Sequence, residues 1–205
     1  MVFGFKYSGS LSRTRGHGTW DEFVKIHAAT LWQCDFVSKR IVTPKGLRDA
    51  FLLVFLHVET RRVLISPATQ HPNEAWVNEQ AAAFLKHVKK SKLGADVIMH
   101  DRDTKFARSF DTTLEDAGLR VQWTAYRSPN TCAFVERFIQ TLGQECLDHF
   151  VVLGERHLNY LVREFLEHYK LERPHQALEN QTVVKKGYRR KTTDGASTLP
   201  ITEVA

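Results

Sequence analysis

No stretch of this 205-residue chain reaches the 18 apolar residues that read as a membrane-spanning helix. The longest apolar run, Ala50 to Leu56, has the length of one strand. Residues 1–20 lack the continuous hydrophobic region of a secretory signal, so the chain reads as cytoplasmic. Cysteine is scarce. Cys34, Cys132 and Cys146 show no paired spacing, and no C-x-x-C or H-x-x-x-H zinc pattern is present. Each reads as a small buried filler; Cys132 stands apart only because it lies near Glu136. A P-loop, a dinucleotide fingerprint and a G-x-S-x-G elbow are also missing, which removes three common competing chemistries.

The charge is unevenly placed. Residues 1–20 carry Lys6, Arg13 and Arg15 and no acid. Residues 181–205 carry Lys185, Lys186, Arg189, Arg190 and Lys191 against Asp194 and Glu203. The middle, 21–180, is neutral with 21 basic and 21 acidic residues. Two basic tails suit a polyanion such as DNA, or are simply solvated. The length fits one compact domain with tails: a flexible segment over 1–30, a core over 31–180 and a basic tail over 181–205.

Periodicity gives an element order. Trp20 to Ala29 fits a short helix, on which His27 reads as a packed or half-exposed residue rather than a ligand. Residues 31–37 read as a strand, Thr43-Pro-Lys-Gly46 as a turn, and Asp49–Val58 and Arg61–Ser66 as two further strands. Trp76, Val77, Ala81, Phe84, Leu85 and Val88 recur at helical spacing, with Pro72 in the first turn. Asp96–His100 is a fourth strand, Thr104–Ala117 a helix stopped at Gly118, and Leu119–Thr124 a fifth strand. Residues 128–133 form a loop, and helices follow over Phe134–His149 and Glu155–Leu171. The order β-β-β-α-β-α-β-α-α predicts an α/β fold, a mixed five-stranded sheet flanked by helices. In it the first and fourth strands can lie side by side.

Three acids stand out against this pattern. Asp35 interrupts a strand, Asp101 closely follows another, and Glu136 lies 35 positions further on. Aspartate is a poor strand former, so an acid there is hydrogen-bonded, exposed at an edge or bound to a cation. On a helical wheel Phe134, Val135, Phe138, Ile139, Leu142 and Cys146 make one apolar stripe, and Glu136 falls on its flank beside Gln140 and Gly143. Gly143 serves either the approach of a bulky ligand or close helix packing. Three carboxylates on two strands and a helix can bridge two magnesium ions, which would drive phosphodiester chemistry without a protein nucleophile.

At these residues the chain resembles the integrase catalytic core shared by retroviral integrases and bacterial insertion-sequence transposases. The resemblance runs from about Thr19 to Asn180. It is carried by Trp32-Gln-Cys-Asp-Phe36, His100-Asp-Arg-Asp-Thr-Lys-Phe106 and Phe134-Val-Glu-Arg-Phe-Ile-Gln-Thr-Leu-Gly-Gln-Glu-Cys-Leu-Asp148, with Gly154-Glu-Arg-His-Leu158 and Arg173-Pro-His-Gln-Ala-Leu178. It implies a ribonuclease H-like fold and DNA cleavage and strand transfer with two Mg²⁺ or Mn²⁺ ions. It further implies Asp35, Asp101 and Glu136 as the metal-binding catalytic triad, and a homo-oligomer acting on element ends and target DNA, nucleoid-associated in a bacterial cytoplasm. Lys105, Arg137 and Gln140 are the candidate DNA contacts.

The sequence departs from the family pattern at three places. Asp103 stands where a small residue is usual, as an extra ligand, a loop residue or a hydrogen-bond partner behind the ligands. Cys132 stands where asparagine is common. Only 34 residues precede Asp35, so the chain looks like a truncated transposase or a core fragment. The alternatives are a remnant that only binds DNA or assembles, and a simple ribonuclease H-type nuclease, which the motifs after Glu136 disfavour. His100 reads as packing rather than as a metal ligand. Arg173 and His175 either cap the preceding helix or contact DNA.

Overall fold

The computed structural model describes residues 20–124, 132–171, 173, 182–183 and 202–203. Its elements are α1 (Trp20–His27), β1 (Leu31–Thr43), β2 (Gly46–His57), β3 (Val63–Ile65), α2 (Glu74–Ser91), β4 (Val97–His100), α3 (Arg108–Asp116), β5 (Arg120–Trp123), α4 (Ala133–Glu145), a 3₁₀ turn (Leu147–His149), β6 (Val152–Leu153), α5 (Gly154–Leu171) and β7 (Thr202–Glu203).

β1 and β2 form the long antiparallel hairpin at the centre, closed by Pro44 and Lys45 between Thr43 and Gly46. Gly46 has φ of +97°, a left-handed backbone that glycine adopts without strain. β3 extends the meander antiparallel to β2. The chain then crosses through α2 to set β4 parallel to β1, and through α3 to set β5 parallel to β4. The sheet order is β5-β4-β1-β2-β3-β7, with β6 paired to the far end of β1. The mixed sheet flanked by helices is the expected architecture. Beyond the five expected strands are β6 and β7, two residues each, too short to carry any period.

Alternation along β1 and β2 divides the core. Leu31, Val37, Ile41, Leu52, Val54 and Leu56 face α4 and α5, with Trp20, Phe23 and Val24 of α1 packed at the margin. Trp32, Cys34, Leu53 and Phe55 face α2 and α3. On that second face Phe84 stacks on Phe55 at 4.6 Å between centroids and meets Trp32 edge-on at 5.1 Å. All three rings are fully buried.

Several boundaries differ from the sequence reading. β1 runs to Thr43 rather than residue 37, because Val37 and Ile41 stay buried while Ser38 and Arg40 face water. Lys39 and Arg40 hide that continuation from a composition reading. β3 starts only at Val63, since Arg61 has φ of 57°. Pro72 lies before α2, not in its first turn. The helix begins after Asn73, whose side chain accepts from Trp76 N at 2.9 Å as an N-cap. α3 starts four residues later than expected, because 101–107 form tight turns. α4 ends at Glu145, where Cys146 leaves helical geometry and the 3₁₀ turn begins.

Candidate active site

The β1–β4 register places two of the acids together. Leu31, Trp32 and Gln33 pair with Val97, Ile98 and Met99. Continuing that register by two residues sets Asp35 level with Asp101, the first residue past β4. In a sheet, residues two apart share a face. Asp35 therefore points to the face of Gln33 and Val37, where α4 packs.

Gln33 brings in the third acid. Its fully buried side chain accepts hydrogen bonds at Oε1 from Phe134 N and Val135 N, both 3.1 Å. These are orphan amides of the first turn of α4. The N-cap residue itself, Cys132, supplies no side-chain bond. A glutamine two residues before Asp35 thus fixes the start of the helix that carries Glu136. Arg61 lies over the Phe134 ring at 4.1 Å. Sequence reasoning missed both. The signal for Gln33 was an uncharged polar residue in the most apolar part of β1.

The carboxylates sense one another. Burial, then the charge of Asp101, pushes the Asp35 carboxyl up to about 7; the Phe36 amide opposes this, and Glu136 and Asp103 add to it. Burial followed by the charges of Asp35, Glu136 and Asp101 holds the Cys132 thiol well above its ordinary range. All three acids thus act electrostatically on Cys132, which is 3% exposed. The three cysteines are buried and free.

The donor set suits a hard divalent cation, which takes carboxylate oxygens. Asp35 Oδ1 accepts from Phe36 N at 2.7 Å, and Asp101 Oδ1 accepts from Asp103 N at 3.0 Å. Each keeps its second oxygen without a hydrogen-bond partner among the described residues. Glu136 is exposed on the first turn of α4. Among the described residues, no group of three or more His, Cys, Asp or Glu is gathered closely enough to hold a metal ion as it stands.

The neighbouring residues take definite roles. Asp103 accepts from Lys105 N at 2.9 Å and from the Lys105 ammonium. Burial raises its carboxyl, but these bonds outweigh burial and hold it below the usual range. Asp103 is thereby a loop residue bound to Lys105. The Lys105 ammonium lies 5.1 and 5.4 Å from the Phe36 and Phe51 rings, so this candidate DNA contact is engaged within the chain. Arg137 and Gln140 are exposed on α4. Among the described residues a methyl added at Gly143 would meet only Asp148 Oδ2, at 3.5 Å, so close packing against these residues does not explain that glycine. His100 is 2% exposed and packs on Phe106 and Phe110. Arg173 pairs through two nitrogens with Glu145, at 2.7 and 3.0 Å, and joins the end of α5 to α4. His175 lies outside the described residues.

The comparisons bear on the fold and on the C-terminal part of the chain. Residues 117–182 match the family model described as integrase core domain. No curated protein matches the chain. A chain of the simian T-cell lymphotropic virus intasome, solved with PP2A regulatory subunit B56 gamma, is 12% identical with a TM-score of 0.54; the match covers 83% of this chain and 60% of that one. The HTLV-2 integrase catalytic core domain in complex with magnesium is 16% identical in its trimeric form, TM-score 0.53, covering 76% of this chain and 93% of that one. Its dimeric form is 15% identical, TM-score 0.51, with the same coverage. The chain thus has the ribonuclease H-like fold of integrase catalytic cores, and its C-terminal part, residues 117–182, matches the integrase core domain family.

Proposed function

We propose that the chain is a polynucleotidyl transferase of the integrase and transposase type, which cuts DNA strands and joins them to a target with divalent metal. The observation that carries this reading is the placement of the acids. The β1–β4 register levels Asp35 with Asp101, and Gln33 holds the α4 amides beside them. Asp35, Asp101 and Glu136 would hold two Mg²⁺ or Mn²⁺ ions, and the magnesium in the HTLV-2 core supports that choice. When bound, such ions polarise a phosphodiester and activate water or a 3′-hydroxyl. The chain's own contribution is to orient. The Phe36 and Asp103 amides fix one oxygen of each aspartate and leave the other for a cation. Arg137 and Gln140, exposed on the Glu136 helix, are placed to meet the DNA backbone. The intasome, dimer and trimer named for the similar structures support action as an oligomer on DNA. We place this activity in the cytoplasm, at the nucleoid.

The test is a joining assay with Mg²⁺ or Mn²⁺ and a pre-cut DNA end. Wild type joins and Glu136→Gln does not. Absence of metal-dependent cleavage and joining by wild type would favour a second reading, a remnant that only binds DNA or assembles. That reading draws on the acids not being gathered into a metal-ready cluster among the described residues.

A further inference from the structure

Trp123 is 56% exposed, whereas Trp32 in the same sheet is wholly buried. It ends β5 and pairs with His100, the residue before Asp101. Exposed indole forgoes the burial energy that an aromatic normally contributes. Yet this ring is held in place. Its Nε1 donates to Asp111 Oδ2 at 3.0 Å. Asp111 is 9% exposed, and its Oδ1 lies 2.9 Å from Nε2 of buried His100. The His100 Nδ1 lies 2.6 Å from the carbonyl oxygen of Asp101. A chain of polar contacts therefore links the indole to the backbone of a candidate metal ligand. The Arg102 guanidinium lies 5.6 Å from the indole centroid. Arg102 is exposed and has no ion-pair partner among the described residues.

We propose that Trp123 and Arg102 form a stacking platform for one unpaired nucleobase at the end of β4 beside Asp101, on the α3 face of the sheet. The inference rests on the reading of that site as DNA-processing. The anchored, half-exposed ring gives a base something to stack on, and the guanidinium that lies over one side of it takes the flanking phosphate. Base pairs in a duplex keep their faces stacked on one another. The ligand is therefore a nucleotide at a frayed or overhanging end, delivered next to Asp101. An indole kept for folding alone would need neither its exposure nor its anchor.

The experiment measures binding of the full chain, in a Glu136→Gln background so that the DNA survives. It compares a blunt duplex with the same duplex carrying a short unpaired overhang, by anisotropy and tryptophan fluorescence. The parent chain binds the overhang more tightly, with quenched emission. Trp123→Ala weakens overhang binding roughly 5- to 100-fold, the range for losing one base stack, removes part of the quenching and leaves the blunt duplex unaffected. Trp123→Phe, still aromatic but without the Nε1 donor, retains most of the preference. Arg102→Gln lowers the salt slope by about one. Melting curves of each variant verify folding. Equal binding of both DNAs by Trp123→Ala and its parent overturns the platform, as does an equal loss on both. A Trp123→Ala effect on self-association alone, seen by sedimentation, overturns it in favour of a protein contact. If the parent binds neither DNA, the proposed function fails and the platform with it.

Discussion

Gln33 and Val135 are 102 positions apart, yet Gln33 Oε1 accepts the Val135 amide at 3.1 Å. This bond, with its twin from Phe134, makes the first acid's strand the cap of the third acid's helix. Geometry on β1 is thereby transmitted to Glu136. Gln33→Met keeps the volume and removes the acceptor. Losing a helix cap costs about 1 kcal/mol, up to about 2. For a domain of this size each kcal/mol lowers Tm by about 2–4 °C. Joining activity falls further than stability accounts for, because Glu136 loses its fixed position. Calorimetry alongside the joining assay separates the two; activity that merely tracks the folded fraction would contradict the positioning role.

Asp35 gives the metal-free protein a pH-dependent weakness. Its folded pKa of about 7 lies above the ordinary 3.8. The folded chain therefore holds a proton that the unfolded chain releases between these values. Stability falls as pH rises through that window, and above it the ionised group costs roughly 4 kcal/mol. Asp35→Asn melts higher than wild type at pH 8, and the difference vanishes below pH 4. Magnesium at pH 8 raises the melting temperature of wild type and not of the variant.

Asp103 and Asp101 differ in role despite their spacing. Asp103 is bonded to Lys105, with both side chains 26% exposed. Asp103→Asn keeps an acceptor for the Lys105 amide, so Mn²⁺ affinity by calorimetric titration stays within a few-fold of wild type. Asp101→Asn abolishes it. Since the folded Asp103 carboxyl lies below its ordinary range, its contribution to stability is present above the unfolded value and is lost as pH falls through the folded one.

Phe84 packs on Phe55 and Trp32, on the face of the sheet opposite the one where α4 packs. Phe84→Ala costs about 3–5 kcal/mol, the range for truncating a buried aromatic. Chemical denaturation gives the value, and the folded fraction retains its metal affinity.

The sheet was legible because its strands are apolar and the turn Thr43-Pro-Lys-Gly46 is explicit. The proximity of Asp35 to Asp101 followed from strand order alone. Strand extension past Val37 was hidden by Lys39 and Arg40, whose charges mask alternate burial. The late start of α3 was hidden because the turn bonds of Asp101 and Asp103 compete with helix. Gln33 escaped because a cap supplied from another strand has no local sequence signature. Trp123 fell within the fifth strand, Leu119–Thr124, with nothing in the sequence to single it out; its exposure and the Asp111 anchor set it apart.

The most direct test is anomalous scattering from crystals grown with Mn²⁺. The proposed site predicts two ions about 4 Å apart, bound by Asp35, Asp101 and Glu136. Manganese bound elsewhere, or absent at these carboxylates under saturating metal, would contradict it.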